Sequence, residues 1–378
     1  MDAALAKRKG AVTDVKIRGG LVYRPSIAVV ECDPDHESFD YYSWHLGNAE
    51  RKYFSAGQIH FAPMLLRLLP QMYREYLTVD VACIPVSKPD ENGCCGLGLA
   101  SYAWKTIMKK ARTVIFEVNE HMPTLQGVDG SHRVSLDDAD LIVEGEHAPL
   151  AANKYRTPSE ADIKIAEYVV NEIPNGATLS LCVGTVPFTI AEMLAKSDKE
   201  DLAAYGNHQR CLPDALSSRE TDGSQEGNQY RSCRMEPCKR QCGTYQWLND
   251  RPDLSILPMW TISTTRATWK NCQTSLVSMA VSSLTSWDRK MLNLSEPASF
   301  PVRAASWTFS KGFPFSGRGG LYLHQSARKI RKGSFIPIFL LPSCRKYHSA
   351  PRGLIQNVAT EYGVAHLTGL TLKERAYA

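Results

Sequence analysis

From residue 78 to Leu202, apolar and polar positions follow the periods of strands and helices in turn. Residues 78–86 (TVDVACIPV) are β-branched and apolar with few charges, and predict a buried strand. Lys88 to Gly98 (KPDENGCCGLG) is turn chemistry, with Pro-Asp and Asn-Gly supplying bends. A helix is expected over 101–112, a second strand over 113–119 (TVIFEVN) and a third over 139–146 (ADLIVEGE). Pro149 to Pro158 has little apolar periodicity and reads as a linker. Ser159 then opens a helix, with Ser159 and Asp162 resembling a capping box in which Asp replaces the usual Glu or Gln. Ile163, Ala166, Val169, Val170 and Ile173 repeat at helical spacing, and Pro174-Asn175-Gly176 ends the run. ATLSLCVG (177–184) predicts a strand, GTVP a turn and FTIAEMLAKS (188–197) a helix. Strand–helix alternation of this kind argues for parallel sheets in an α/β fold.

After Leu202 the order fails. No period of 2 or 3.6 is sustained until about Pro351, and pattern returns at NVATEYGVAHLTG (357–369), a strand-like run, a Gly turn and a helix-like end. The charge changes over the same interval. Residues 203–355 carry 21 Lys and Arg against 9 Asp and Glu, whereas the rest carries 23 against 30, within a formal net charge of +5. Five of the seven Trp and six of the eleven Cys fall there too. A basic, Cys-rich middle could mark a nucleic-acid or zinc module. Against zinc, Cys233, Cys238 and Cys242 lack the paired CxxC spacing of such sites, so no metal is expected.

The 378 residues suffice for two α/β domains, 1–150 and 151–378. No apolar run approaches the roughly 18 residues needed to span a bilayer, and Met1 to Gly10 is charged and lacks the apolar core of a signal peptide. The expected compartment is the cytoplasm, where Cys83, Cys94 and Cys95 are reduced.

Five segments carry a family resemblance: PVSKPDENGCCGLG (85–98), VIFEVNEHMPTLQG (114–127), DADLIVEGEHAPL (138–150), IPNGATLSLCVGTVPFTIAEML (173–194) and VATEYGVAHLTGLTLKERA (358–376). Each alone is weak; their order and spacing together resemble the acetyl-CoA hydrolase/transferase family of class I-type CoA-transferases, which includes 4-hydroxybutyrate and butyryl-CoA:acetate CoA-transferases. The resemblance covers about the first 200 residues and the last 22, and implies a chain shortened at both ends. It implies two similar α/β domains with mainly parallel sheets, an active site between them, and a homodimer. Coenzyme A and acyl-CoA are substrates with a short-chain carboxylate as co-substrate; no permanently bound cofactor, nucleic acid or membrane is implied.

The resemblance also implies covalent chemistry. A Glu carboxylate attacks an acyl-CoA thioester, giving an acyl-glutamyl anhydride and free CoA; CoA returns to form a glutamyl-CoA thioester, from which a second acid takes the CoA. In this family the Glu follows an Asp-Leu-Gly within a His-Thr/Ser-Glu triplet. Here DKEDL (198–202) runs into AAYGNHQR (203–210), and no Glu follows.

A displaced reading frame accounts for that gap. Shifted by one base after Leu202, the codons of Ala204–Tyr205, Tyr205–Gly206 and Gly206–Asn207 allow His, Thr and Glu in succession. The missing Glu is thereby expected at the Gly206, Asn207 position. Met and Trp, with one codon each, test the idea harder. Shifted by two bases, Met259–Trp260 is forced to Val and Trp260–Thr261 to Asp, opening a run that allows a V-D-Y-x-N-N-P similar to the family's. Trp287–Asp288 is forced to Gly and Trp307–Thr308 to Asp, each inside an allowed family-like motif. Residues 203–355 therefore read as frame-shifted, with frame regained near Asn357 and a poor core expected between, because a shifted reading destroys apolar periodicity. On this reading the chain as it stands is inactive, and its basic stretch, KIRK (329–332) included, is a by-product of translation.

Other residues stand beside plainer readings. By resemblance Val183, Gly184, Thr185, Val186 and Pro187 form the CoA-binding loop, where backbone N–H groups at a helix start can meet an anion or carbonyl oxygen. Cys182 replaces the family's first Gly; the plain reading is a strand–helix turn. Glu117 and Asn119 end a strand and are candidates for lining substrate, or structural. Glu361 and Gly363 lie in a family motif distinct from the catalytic one and are likewise candidate lining residues. Asp90-Glu91-Asn92-Gly93 is better read as a solvated turn than as catalytic carboxylates. Three functions follow: CoA transfer, with acyl-CoA hydrolysis as its sibling; a non-catalytic CoA-binding remnant; and, least favoured, nucleic-acid binding.

Overall fold

The computed structural model describes residues 1–20, 22, 24–65, 68–98, 103–125, 130, 132–150, 157–181, 184–200, 202–205 and 356–378, and between 206 and 355 the backbone of nine short strand segments. Two compact units divide the chain, Met1–Ala151 with Leu294–Ala305 and Ala152–Asn293 with Ser306–Ala378.

The first unit runs α1 (Asp2–Ala6), β1 (Val15–Gly19), α2 (Ala28–Cys32), β2 (Phe39–Ser43), α3 (Asn48–Ser55), β3 (His60–Phe61), α4 (Leu69–Glu75), β4 (Val81–Val86), β5 (Cys94–Gly96), α5 (Trp104–Lys110), β6 (Thr113–Val118), β7 (Arg133–Ser135) and β8 (Leu141–Glu144). β1-β2-β3 and β4-β6-β8 are parallel sheets, and β5 pairs antiparallel with β7. Two apolar clusters hold them. Ile27, Val29, Val30, Phe39, Tyr41, Leu46 and Ile59 pack around the first sheet. Ala82, Ile84, Val86, Val114, Phe116 and Val118 pack around the second.

Buried carboxylates organise the first cluster. Asp33 accepts N–H bonds from Glu37, Ser38 and Phe39 at 3.2, 2.7 and 2.8 Å and faces the Lys9 ammonium at 3.0 Å. Burial by itself raises this carboxyl, but the donors at Ser38, Lys9, Phe39 and Glu37 outweigh it and hold it well below the usual carboxylate range. Glu50 accepts from the N–H groups of Val22 and Gly47 and from the Ser43 hydroxyl at 2.9, 2.6 and 2.7 Å. Each is a charge removed from water and compensated by several donors.

The expected strand over 78–86 forms as β4, but only alternate residues are covered: Ile84 and Val86 are buried while Val81 is 53% exposed. β8 is exposed along its length, so the apolar run at 141–143 signalled a strand and not a covered one. Within the stretch read as turn, the segment 94–96 forms a short strand because its backbone pairs with β7.

The second unit runs α6 (Glu160–Glu172), β9 (Thr178–Leu181), α7 (Thr185–Ala195), β10 (Ala203–Tyr205), β11 (Ser217–Ser218), β12 (Cys233–Arg234), β13 (Ser275–Ala280), β14 (Ser283–Thr285) and β15 (Lys290–Met291). It continues through β16 (Gly320–His324), β17 (Arg328–Arg331), β18 (Ser334–Pro337), β19 (Phe339–Leu340), β20 (Asn357–Thr360), β21 (Gly363–His366) and α8 (Leu372–Tyr377). Six strands form one sheet in the order β10-β9-β13-β16-β20-β21, parallel except for the final hairpin. From β9 the chain steps to one side for β10 and then crosses to the other for β13, so the order reverses at β9.

α6 begins as the sequence predicts. The Ser159 hydroxyl oxygen accepts the Asp162 N–H at 3.2 Å, and Asp162 accepts the Ser159 N–H at 2.9 Å. Ala166, Val169 and Ile173 are buried against Leu179, Ile190, Ala191 and Leu194, with Ile165 beside them. Ile163, expected on that face, is only half-buried. At the end of the chain the expected helix over the last part of 357–369 is replaced by β21; Gly363 closes a hairpin, and the helix starts at Leu372 behind a Thr371–Glu374 capping box. Two strand-length runs meeting at a Gly turn favour a hairpin over a strand–helix turn.

Candidate functional site

The second unit offers the best-formed candidate. Strand β9 leads through 182–183 into Gly184, the N-cap of α7. The helix starts three residues earlier than the sequence pattern suggests. Thr185, Val186 and Pro187 are therefore its first turn and not a preceding loop. Proline is admitted there because a first-turn N–H has no carbonyl partner in the helix. Val186 and Pro187 are buried, anchoring the turn to the core, while Thr185 is half-buried and its carbonyl accepts the Thr189 hydroxyl at 3.0 Å. Gly184 has φ 153°, ψ 169°, a combination essentially restricted to glycine, and no side chain caps this helix end. The N–H groups of its first turn thus point out beyond the C-terminal end of β9 with helix-end polarity suited to an anion or a carbonyl oxygen. Val183 lies outside the described residues.

The topology adds a neighbour. Tyr205 pairs with Ser180 in parallel register, so β10 ends at the same edge of the sheet as β9. In open parallel sheets ligands bind outside the carboxyl ends of strands, at the point where strand order reverses. Gly206 and Asn207 themselves lie outside the described residues.

Glu361 and Gly363 sit at the β20–β21 turn. β20 runs parallel to the rest, so this turn occupies the same sheet edge, but three strand spacings separate it from β9, about 14 Å at ~4.8 Å per strand. The Thr360 hydroxyl accepts the Tyr362 N–H at 3.2 Å, and His366 Nδ1 meets Asn357 Oδ1 at 2.8 Å across the hairpin.

In the first unit, Glu117 is the penultimate residue of β6 and Asn119 lies just beyond the strand. The Asn119 amide is occupied locally: it donates to the Ala148 carbonyl at 3.0 Å and accepts the His121 N–H at 2.9 Å, while its backbone N–H bonds the Val86 carbonyl. That set of bonds closes the loop after β6. Glu117 lies 3.3 Å from the Met1 amine, and Gly145 lies so near it that an added Cβ would stand 3.3 Å from Glu117 Cγ and 2.8 Å from the Val118 carbonyl. Asp90 accepts the N–H groups of Asn92 and Cys94 and pairs with Arg133, making it the staple of a turn. Cys95 is buried and pushed up to about 11, chiefly by burial, so it remains a thiol. Cys233 enters only as backbone of β12, and Cys238 and Cys242 lie outside the described residues.

A parallel α/β sheet with its strand order reversing at β9, and a glycine-opened helix at that point, is the kind of place where open α/β sheets bind ligands. The comparisons specify the class of protein. The profile of the acetyl-CoA hydrolase/transferase N-terminal domain matches residues 2–152. A butyryl-CoA:acetate CoA-transferase from Anaerostipes caccae is 30% identical over 100% of this chain and 85% of its own length. A 4-hydroxybutyrate coenzyme A transferase from Clostridium kluyveri is 28% identical over 88% of this chain and 76% of its own. Among solved structures, RipA from Yersinia pestis has a TM-score of 0.79 at 20% identity, covering 100% of this chain and 86% of that one. A 4-hydroxybutyrate CoA-transferase from Porphyromonas gingivalis has a TM-score of 0.68 at 18% identity, covering 100% and 92%; these two show the shared fold. The chain belongs to the acetyl-CoA hydrolase/transferase family, and by that membership it is a CoA-transferase. Among the described residues no helix is long and apolar enough to cross a membrane.

Proposed function

We propose that the gene encodes an enzyme moving CoA from a short-chain acyl-CoA, such as acetyl-, butyryl- or 4-hydroxybutyryl-CoA, to a short-chain carboxylate. The carrying observation is the shared sheet edge: β9 opens the α7 N-terminus and β10, its parallel neighbour, ends just before position 206. The first-turn N–H groups of α7 would bind CoA or the thioester carbonyl. The Glu spelled by the shifted codons over Gly206–Asn207 would be the nucleophile. Its carboxylate attacks the thioester carbon and expels CoA thiolate, leaving an acyl-glutamyl anhydride. The thiolate then attacks the glutamyl carbonyl, releasing the first carboxylate and forming a glutamyl-CoA thioester. The acceptor acid repeats the sequence in reverse. Binding of the remote parts of CoA can be used to stabilise the reacting centre.

The chain as it stands has no Glu between Leu202 and Ile355 within a His-Thr-Glu triplet, so it would not transfer CoA. Supporting this reading, a one-base shift allows the triplet, and a two-base shift further along places four forced residues in family-like motifs. The test is transfer from butyryl-CoA to acetate by the chain and by a frame-restored version, reading acetyl-CoA by chromatography. Only the restored protein should be active, and mass spectrometry should find CoA on the restored Glu. An inactive restored protein, or a coding sequence free of indels near codons 203, 230–247 and 355, overturns the proposal. CoA release without any carboxylate would instead assign acyl-CoA hydrolysis.

A further inference from the structure

The first unit holds a second side-chain cluster that the transferase chemistry does not use. His36 precedes β2, Asp40 lies in β2 and His60 lies in β3. One Asp40 carboxylate oxygen stands 3.3 Å from His36 Nδ1, with no hydrogen bond between them, and 3.3 Å from His60 Nε2, to which it is hydrogen-bonded. All three donor atoms lie within 4.8 Å of one another. Three further observations bear on what the cluster is for.

The first is the spacing. Ligand atoms bound at about 2.0–2.1 Å around a tetrahedral ion stand about 3.3 Å apart, which is the separation at both edges that meet on Asp40. The second is the state of His36. Its Nδ1 is covered and meets Asp40 without hydrogen-bond geometry, so it remains unsatisfied by any protein partner. Two ligands of one ion have this relationship: close, but not aimed at each other. The third is orientation. His36 Nε2 lies 3.5 Å from the Gly57 carbonyl, the kind of outer bond that fixes the ring of a metal-binding histidine. The backbone of His36 is held at φ 58°, unfavourable for a non-glycine residue and consistent with a ring aimed by its surroundings. His60 is packed against the Tyr42 ring at 4.8 Å but stays 48% exposed on the side chain, which leaves an open path for an ion and room for a water as fourth ligand.

We propose that His36, Asp40 and His60 bind one divalent transition-metal ion of the zinc class. Two imidazoles and one carboxylate suit such ions and disfavour calcium and magnesium, which require more oxygen ligands. The ion would join the 33–38 loop to two strands of the first sheet. The proposal uses none of the residues assigned to CoA transfer, so it stands or falls independently of that reading.

The test uses the full chain without an affinity tag and Co2+ as the spectroscopic probe. One equivalent should produce visible d–d bands of four-coordinate intensity, displaced by Zn2+. His60→Ala and, independently, His36→Gln should abolish them, whereas His121→Ala, at a surface His outside the cluster, should keep them. Asp40→Asn should weaken binding at least tenfold. Absence of the bands, or their persistence in both His60→Ala and His36→Gln, overturns the proposal.

Discussion

Tyr205 stands opposite Ser180 in parallel register, so the strands that carry them end together at one edge of the sheet. The family's nucleophile and its CoA-binding turn would then leave neighbouring strands side by side. In the frame-restored protein, changing the glutamate of the restored His-Thr-Glu triplet to Gln is expected to abolish butyryl-CoA:acetate exchange while acyl-CoA binding persists. Isothermal titration with butyryl-CoA beside the exchange assay separates the two. Equal loss of both would point to misfolding and not to a missing nucleophile.

Gly184 makes the second prediction. At φ 153° an added methyl group would meet Pro187 Cδ at 3.5 Å and Cγ at 3.9 Å, ordinary contacts, so the penalty for Gly184→Ala is conformational and not steric. The cost is about 1–3 kcal/mol. It should appear as a lower denaturant midpoint of the second unit and, in the frame-restored protein, as weaker CoA binding through a displaced helix start. An unchanged midpoint would mean that the turn relaxes freely.

At Ser159 the sequence and the structure agree closely. Ser159→Ala removes the acceptor for the Asp162 N–H and should cost about 0.5–2 kcal/mol. Ser159→Asp, which can still cap, should recover most of it. Thermal unfolding of the pair checks both.

These particulars show what could be read without coordinates. The capping box, the helix over 160–172 and the strands β4, β6 and β9 were legible because each is a local pattern of apolar spacing and end chemistry. The start of α7 was not: GTVP (184–187) read as a turn, whereas proline is admitted within a first turn and the helix begins at Thr185. No element was drawn before residue 78, where β1 to β3 are short and pair with strands well separated from them in sequence. The meeting of His36, Asp40 and His60 depends on that pairing, since Tyr42 opposite His60 brings Asp40 diagonally near it. Only a strand register could have revealed it. The adjacency of β10 to β9 was hidden for a different reason: strand order within a parallel sheet leaves no local trace.

Asp33 supplies a pH prediction. Its carboxyl titrates lower in the folded protein than in the unfolded one, so its stabilisation is complete above its ordinary value of 3.8. That stabilisation is lost as the pH falls below this value toward the depressed folded one. Asp33→Asn should lower stability at neutral pH by about 1–3 kcal/mol and flatten the acid limb of the stability curve. Denaturant melts at pH 7 and between pH 4 and 2 test it; parallel acid limbs would show that Asp33 contributes nothing to the acid sensitivity.

The final hairpin has a bearing on solubility. β20 would otherwise offer an open row of N–H and C=O groups, the template on which chains stack edge to edge. β21 occupies that row and becomes the margin in its place, only four residues long, and among the described residues the opposite margin is the three-residue β10; such short margins recruit a partner strand poorly. The last codons, where the family pattern resumes, therefore set which strand faces outward: a product ending before Gly363 would leave β20 as the margin in place of the hairpin's return strand.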